Sequence, residues 1–179
     1  MKINLKKIVS LLAALSMLLI LCSCNFSFKK MPKLPSMNFT SDAQINYKTY
    51  DVMSCKITSE QDGPLNVEVT KPALLAGLTV VCQDDSCTIK YGSLSYDADT
   101  QKYPQLAFGN ILKQAVESAK ENPDYSQTDD GNWSIHTTVN GSDVWMVLDG
   151  ETYYPLSLKV PSEELEITFT NFTETDKTK

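Results

Sequence analysis

The chain has 179 residues, with 16 lysines and no arginine against 22 acidic residues, for a formal net charge of −6. An acidic chain without guanidinium groups lacks the usual readers of phosphate and guanine edges, which argues against a nucleic-acid binder. The length beyond the first segment suffices for one domain with a true core.

That first segment has three parts. Lys2, Lys6 and Lys7 make a basic start, Ile8 to Leu21 is apolar apart from Ser10 and Ser16, and Leu21-Cys22-Ser23-Cys24 closes it. A secretory signal has this anatomy, and the apolar run is shorter than the ~20 residues that span a bilayer. The closing residues resemble the bacterial lipobox. The resemblance implies cleavage after Ser23 and lipid on Cys24, a diacylglycerol-type anchor holding the chain on the extracytoplasmic face of the cell membrane. Residues 1–23 are then the signal, and they remove three lysines, leaving 13 positive charges against 22 negative, or −9. Residues 24–42 carry Lys29, Lys30, Pro32, Lys33 and Pro35 without periodicity and read as a tether. Residues 43–172 form the domain and 173–179 a polar tail.

Strands dominate the domain. Ile45 and Tyr47 alternate with polar residues on odd numbers, Tyr50 and Val52 fall on even ones, and Cys55 and Ile57 return to odd ones, phase changes that call for a turn at Lys48-Thr49 and a bulge at Met53-Ser54. Leu65, Val67 and Val69 mark a half-buried strand that Pro72 ends. Leu78, Val80 and Cys82 face Cys87, Ile89 and Tyr91 across a polar loop, Gln83 to Ser86, in a hairpin that sets Cys82 opposite Cys87. Cys22 leaves with the signal and Cys24 carries lipid, so Cys55, Cys82 and Cys87 remain where disulfides persist. Either Cys82 and Cys87 bond across the hairpin and leave Cys55 free, or all three stay reduced. Leu94 and Tyr96 suggest one more short strand.

Phe108, Ile111, Leu112, Ala115, Val116 and Ala119 follow helical spacing, which predicts a helix from Pro104 to Glu121, stopped by Asn122-Pro123. Asn140-Gly141 predicts a two-residue turn pairing Val139 with Ser142, Thr137 with Val144, Ile135 with Met146 and Trp133 with Leu148. Leu156, Leu158 and Val160, then Leu165, Ile167 and Phe169, mark two last strands joined by Pro161 to Glu164.

About nine strands make a sheet ~43 Å wide, and one helix ~10 Å across cannot cover its apolar face. The sheet curls, or another body fills the gap. The order of elements resembles the LolA-like lipoprotein-carrier fold, an open half-barrel with a helix in its mouth, and is most similar to LolA-like lipoproteins of clostridial-type bacteria. The stretches that carry the likeness are Lys71-Pro72-Ala73-Leu74-Leu75-Ala76-Gly77-Leu78, Thr88-Ile89-Lys90-Tyr91-Gly92-Ser93-Leu94, Val147-Leu148-Asp149-Gly150-Glu151-Thr152 with Pro155-Leu156, and Glu166-Ile167-Thr168-Phe169-Thr170-Asn171-Phe172. The resemblance implies an α+β class, a strongly curved antiparallel sheet with one main helix. It also implies an apolar ligand or, as in similar germination lipoproteins, a cell-envelope amidase as partner. The chain departs from the periplasmic carriers in its own anchor and in lacking a helix before the first strand.

The residues do not compose an enzyme. His136 is the only histidine, and nothing beside it in the sequence activates a nucleophile. Asp97-Ala98-Asp99-Thr100-Gln101 starts like a calcium loop but lacks the glycine and closing glutamate. Cys82 and Cys87 are too far apart for a C-x-x-C pair and have no histidines for zinc. No cofactor or metal is expected. Two classes remain: a module binding a lipid or other apolar ligand in a half-barrel, and an interaction protein that engages a partner or a second copy. Val67, Val69, Val80, Ile89, Ile135, Met146, Leu158 and Ile167 are the expected ligand-lining residues, or else the core beneath the helix.

Overall fold

The structure, a computed structural model, describes residues 32–48, 52–83, 86–98, 108–121 and 124–175. Ser23, Cys24, Thr49, Asp99 to Gln101, Pro104 and Asn122-Pro123 lie outside these residues.

Among the described residues, eleven strands form one antiparallel sheet, rather than about nine. Six come before the helix: β1 (Phe39–Tyr47), β2 (Met53–Ser59), β3 (Leu65–Lys71), β4 (Thr79–Gln83), β5 (Ser86–Tyr91) and β6 (Leu94–Ala98). Helix α1 (Phe108–Glu121) follows, then β7 (Asp124–Gln127), β8 (Trp133–Val139), β9 (Ser142–Leu148), β10 (Pro155–Val160) and β11 (Leu165–Glu174). Each set is a meander of neighbours, and β1 pairs with β11 to join them, in the order β6-β5-β4-β3-β2-β1-β11-β10-β9-β8-β7. Ala43 faces Phe169 and Ile45 faces Ile167 across that junction.

Period-2 alternation explains the buried face. Phe39, Ala43 and Ile45 of β1, Leu65, Val67 and Val69 of β3, and Val144, Met146 and Leu148 of β9 all point inward and are buried. The hairpin at Asn140-Gly141 has all four expected pairs, with φ of 50° and 80° at its two turn residues. Cys82 faces Cys87 and Val80 faces Ile89 as expected, but Gln83 also pairs with Ser86, and the ladder ends at Thr79 with Lys90. Leu78 is not in that ladder; its carbonyl accepts from Val69 N at 2.8 Å.

Other boundaries move as well. The folded part begins before Ala43: Met37 and Phe39 are buried, and Ser36 N donates to Glu174 Oε1 at 3.1 Å. The supposed polar tail contributes Thr173 and Glu174 to β11, where Glu174 faces Phe39. The register shift expected at Met53-Ser54 falls between Ser54 and Cys55. A second shift between Pro155 and Ser157 takes Leu156 off the face it was expected to share with Leu158 and Val160, so Pro155 is buried instead.

Helix α1 lies between the two edge strands in sequence and packs against β8, β3 and β4. Strands β3 and β8 are six places apart in the sheet, ~29 Å if it were flat, while a helix is only ~10 Å wide. Touching both requires a strongly curled, open sheet with α1 on its concave side. Polar clamps hold the helix at both flanks. Lys113 Nζ donates to the Glu60 carbonyl at 3.1 Å and to the Gly63 carbonyl, both in the β2–β3 turn. On the other flank Asn140 Nδ2 donates to Gln114 Oε1 at 3.2 Å, and Thr137 donates to Ser118.

Candidate functional site

The eight expected lining residues fall on the concave face in two rows. Val67, Val80 and Ile89 are successive cross-strand partners. Ile167, Leu158, Met146 and Ile135 form the other row. Val69 lies two residues from Val67. All are buried except Ile89, which is partly buried against the core.

The first row continues one strand further, and there the cover ends. Tyr96 is the partner of Ile89 and is 59% exposed, whereas Val67 is 0% exposed. The adjacent pair, Tyr91 and Leu94, shares that face because directly opposed residues point to the same side. Leu94 is 72% exposed. An apolar sheet face thus runs out from under the helix into solvent across β5 and β6.

A loop extends this surface. Pro72-Ala73-Leu74-Leu75-Ala76-Gly77-Leu78 joins β3 to β4 without one polar side chain. Backbone bonds within it shape the turn: Leu75 N donates to the Pro72 carbonyl and Leu78 N to the Leu75 carbonyl, both at 3.0 Å. Gly77 N donates to the Val69 carbonyl at 2.9 Å, and its φ of 85° is one that a side chain would resist. The result lifts Leu74 out of the fold at 83% exposure. Tyr91 Oη donates to the Leu74 carbonyl at 3.2 Å and ties the loop to the sheet. Leu74, Tyr91, Leu94 and Tyr96 form an apolar shoulder of the kind that marks an interaction site. Sequence periodicity marked Tyr91, Leu94 and Tyr96 as strand residues without revealing their exposure. The signal for Leu74 was the absence of any polar residue between Pro72 and Leu78.

The shoulder and the chain's entry sit at opposite ends of the sheet. Ser36 and Asn38 bond to Glu174 and Thr175, beside the Phe39, Ser59 and Leu65 ends of their strands. The Pro72–Leu78 loop and the β5–β6 turn lie past the other ends, Lys71 and Tyr91. Seven residues of β3 separate the two ends by ~20 Å.

Cys82 and Cys87 are disulfide-bonded, and Cys55 is a buried free thiol whose desolvation pushes it up to about 11. His136 stands on the convex face, between Asp143 at 3.0 Å and Asp124 at 3.3 Å, stacked on Trp145 at a centroid distance of 4.4 Å. The Asp143 hydrogen bond, against a smaller desolvation effect, raises its pKa above the ordinary value. Among the described residues, no group of three or more His, Cys, Asp or Glu side chains could hold a metal ion.

No family model matches the chain, and no curated protein matches it. It is similar to an uncharacterized conserved protein from Thermus thermophilus, with 12% identity, TM-score 0.49, and 78% of this chain and 80% of the other covered. It is similar to a LolA superfamily protein from Nitrosomonas europaea, with 11% identity, TM-score 0.45, and coverage of 81% and 89%. It is also similar to a chain in the structure of the CwlD amidase from Clostridioides difficile in complex with the GerS lipoprotein, with 14% identity, TM-score 0.41, and coverage of 80% and 86%.

Proposed function

We propose that this protein is a lipid-anchored extracytoplasmic docking module. Cys24 holds it to the cell membrane, residues 24–31 are its tether, and the shoulder of Leu74, Tyr91, Leu94 and Tyr96 receives a protein partner. The observation that carries this reading is the gradient along one apolar row, from a buried Val67 to a mostly exposed Tyr96. A wholly apolar loop next to that row favours a contact surface over a frayed edge. Its position supports a protein rather than the bilayer. The chain enters at the far end of the sheet, so an upright domain presents the shoulder ~20 Å or more beyond its own base.

Photo-crosslinking in cells tests this. A crosslinker at position 74 or 94 of the anchored protein should yield a protein adduct, and one at Trp145 on the convex face should not. Lipid adducts alone, or a yield at 74 and 94 no higher than at 145, would refute it.

One observation favours a second reading, an apolar ligand with a polar head beneath the helix. Ser59 is buried on the concave face beside Leu65 and Phe39, and its hydroxyl has no hydrogen-bond partner among the described residues. A buried hydroxyl left unpaired costs about 1–3 kcal/mol. If nothing binds there, Ser59→Ala should leave stability unchanged or raise it by about 1 kcal/mol. If a head group binds there, the same change should lower uptake of a fluorescent fatty acid by the wild-type fold.

A further inference from the structure

The two edges of the sheet are built differently. Strand β7 has four residues, Asp-Tyr-Ser-Gln, and is guarded: Asp124 is tied to His136, and Tyr125 packs edge-on against Trp133 at 5.8 Å. Shortness and charge are the usual means of keeping an edge from pairing with another chain. Strand β6, Leu94-Ser95-Tyr96-Asp97-Ala98, is one residue longer and carries one charge, Asp97, but has no lysine, no proline and no register shift against β5, and its concave-side residues Leu94 and Tyr96 lie exposed. Among the described residues it has no neighbour on its outer side. In an antiparallel ladder alternate residues bond to one neighbour, so the other set of N–H and C=O groups of β6 faces away from β5, with no strand partner among the described residues. The exposed shoulder side chains stand on that same strand and its partner.

Resting on the docking reading above, we infer that the partner adds a β-strand to β6. The segment that fits is extended, with apolar residues at alternate positions to cover Leu94 and Tyr96, and with a lysine or arginine opposite Asp97. The apolar alternation follows from the face it must cover, and main-chain bonds to the edge supply the register. The cation follows from charge. Asp97 stands on the convex side of β6, held by the Thr88 hydroxyl at 2.8 Å, in a chain of net charge −6. A second copy supplies no cation there. Symmetric antiparallel pairing about Tyr96 sets Ser95 against Asp97, and both copies carry the same negative balance.

Hydrogen exchange on the full-length lipidated protein in detergent micelles tests this, with a capped heptapeptide of alternating valine and lysine as probe. Binding should slow alternate amides between Leu94 and Ala98 about tenfold, as added ladder bonds do. A valine–glutamate counterpart should protect them less, and Asp97→Asn should erase that difference. Tyr96→Lys places a guarding charge at an already exposed position and should abolish protection without moving the unfolding temperature. Equal protection by the two peptides overturns the cation. Concentration-dependent protection without peptide overturns the inference in favour of a second copy, and protection by phosphatidylcholine vesicles overturns it in favour of lipid. No protection under any condition overturns strand addition itself. Protein adducts from position 94 would in that case still uphold the docking reading, so the two failures are distinguishable.

Discussion

Leu158 and Leu94 carry the same side chain on the same concave face, and truncating each to alanine separates core from working surface. Leu158 is 0% exposed, with Ile167 and Met146 as its cross-strand partners. Its loss leaves a cavity that such well-held strands cannot close, at a cost of about 3 kcal/mol within the usual 2–5. Over a domain of roughly 140 residues, with an unfolding entropy of ~0.3 kcal/mol/K, that lowers Tm by ~10 °C. Leu94 is 72% exposed, so truncation forfeits only the buried quarter of a side chain, ~0.5 kcal/mol and a Tm change of ~2 °C. Urea and thermal unfolding of the two variants, followed by circular dichroism, give both numbers. Leu94→Ala should then abolish the protein adduct formed from position 74, and Leu158→Ala should spare it below its own Tm. A cost under ~1 kcal/mol for Leu158→Ala would mean that the concave face is an open cavity rather than packed core, and the division between core and working surface would be wrong.

Three further outcomes are expected. The folded pKa of His136 is raised, so its charged form stabilises the fold below the unfolded value of about 6.5, and that contribution is lost as pH rises through the folded pKa. His136→Gln should flatten the pH dependence of unfolding in that window, as denaturant titrations from pH 5 to 8 would show. Lys113→Met removes the clamp between α1 and the β2–β3 turn and should cost about 1 kcal/mol, a charged hydrogen bond discounted for its exposure, with faster amide exchange along Phe108–Glu121. Cys24→Ala should release the protein from membranes or leave an unprocessed precursor, which fractionation and mass measurement would detect.

Much of the sheet was legible because its register is set locally. Asn140-Gly141 fixes a turn, and from it every pair out to Trp133 and Leu148 follows by counting. The Cys82–Cys87 hairpin was readable in the same way. Long-range pairing was not. Nothing in the sequence near Ala43 says that it faces Phe169, so the join between β1 and β11, and the early start at Phe39 that it stabilises, stayed hidden. Strand β7 was missed because Asp-Tyr-Ser-Gln is too short and polar to show alternation. Leu156 was misplaced because a bulge depends on its partner strand as well as on its own pattern. The site was half legible. Alternation identified the apolar face, but which part of that face the helix covers depends on curvature, and alternation says nothing about curvature.

The first strand in the chain, β1, is the middle one of the eleven. Tension on the tether would therefore enter the molecule along its central strand, flanked by ladders to β2 and β11. Ladder bonds lie perpendicular to the strand, so a pull along it loads both rows in shear together instead of opening them one at a time. On the proposed reading, with a membrane anchor at one end and a partner at the other, the protein would be a mechanical link, and the load would be taken where the sheet is hardest to unzip.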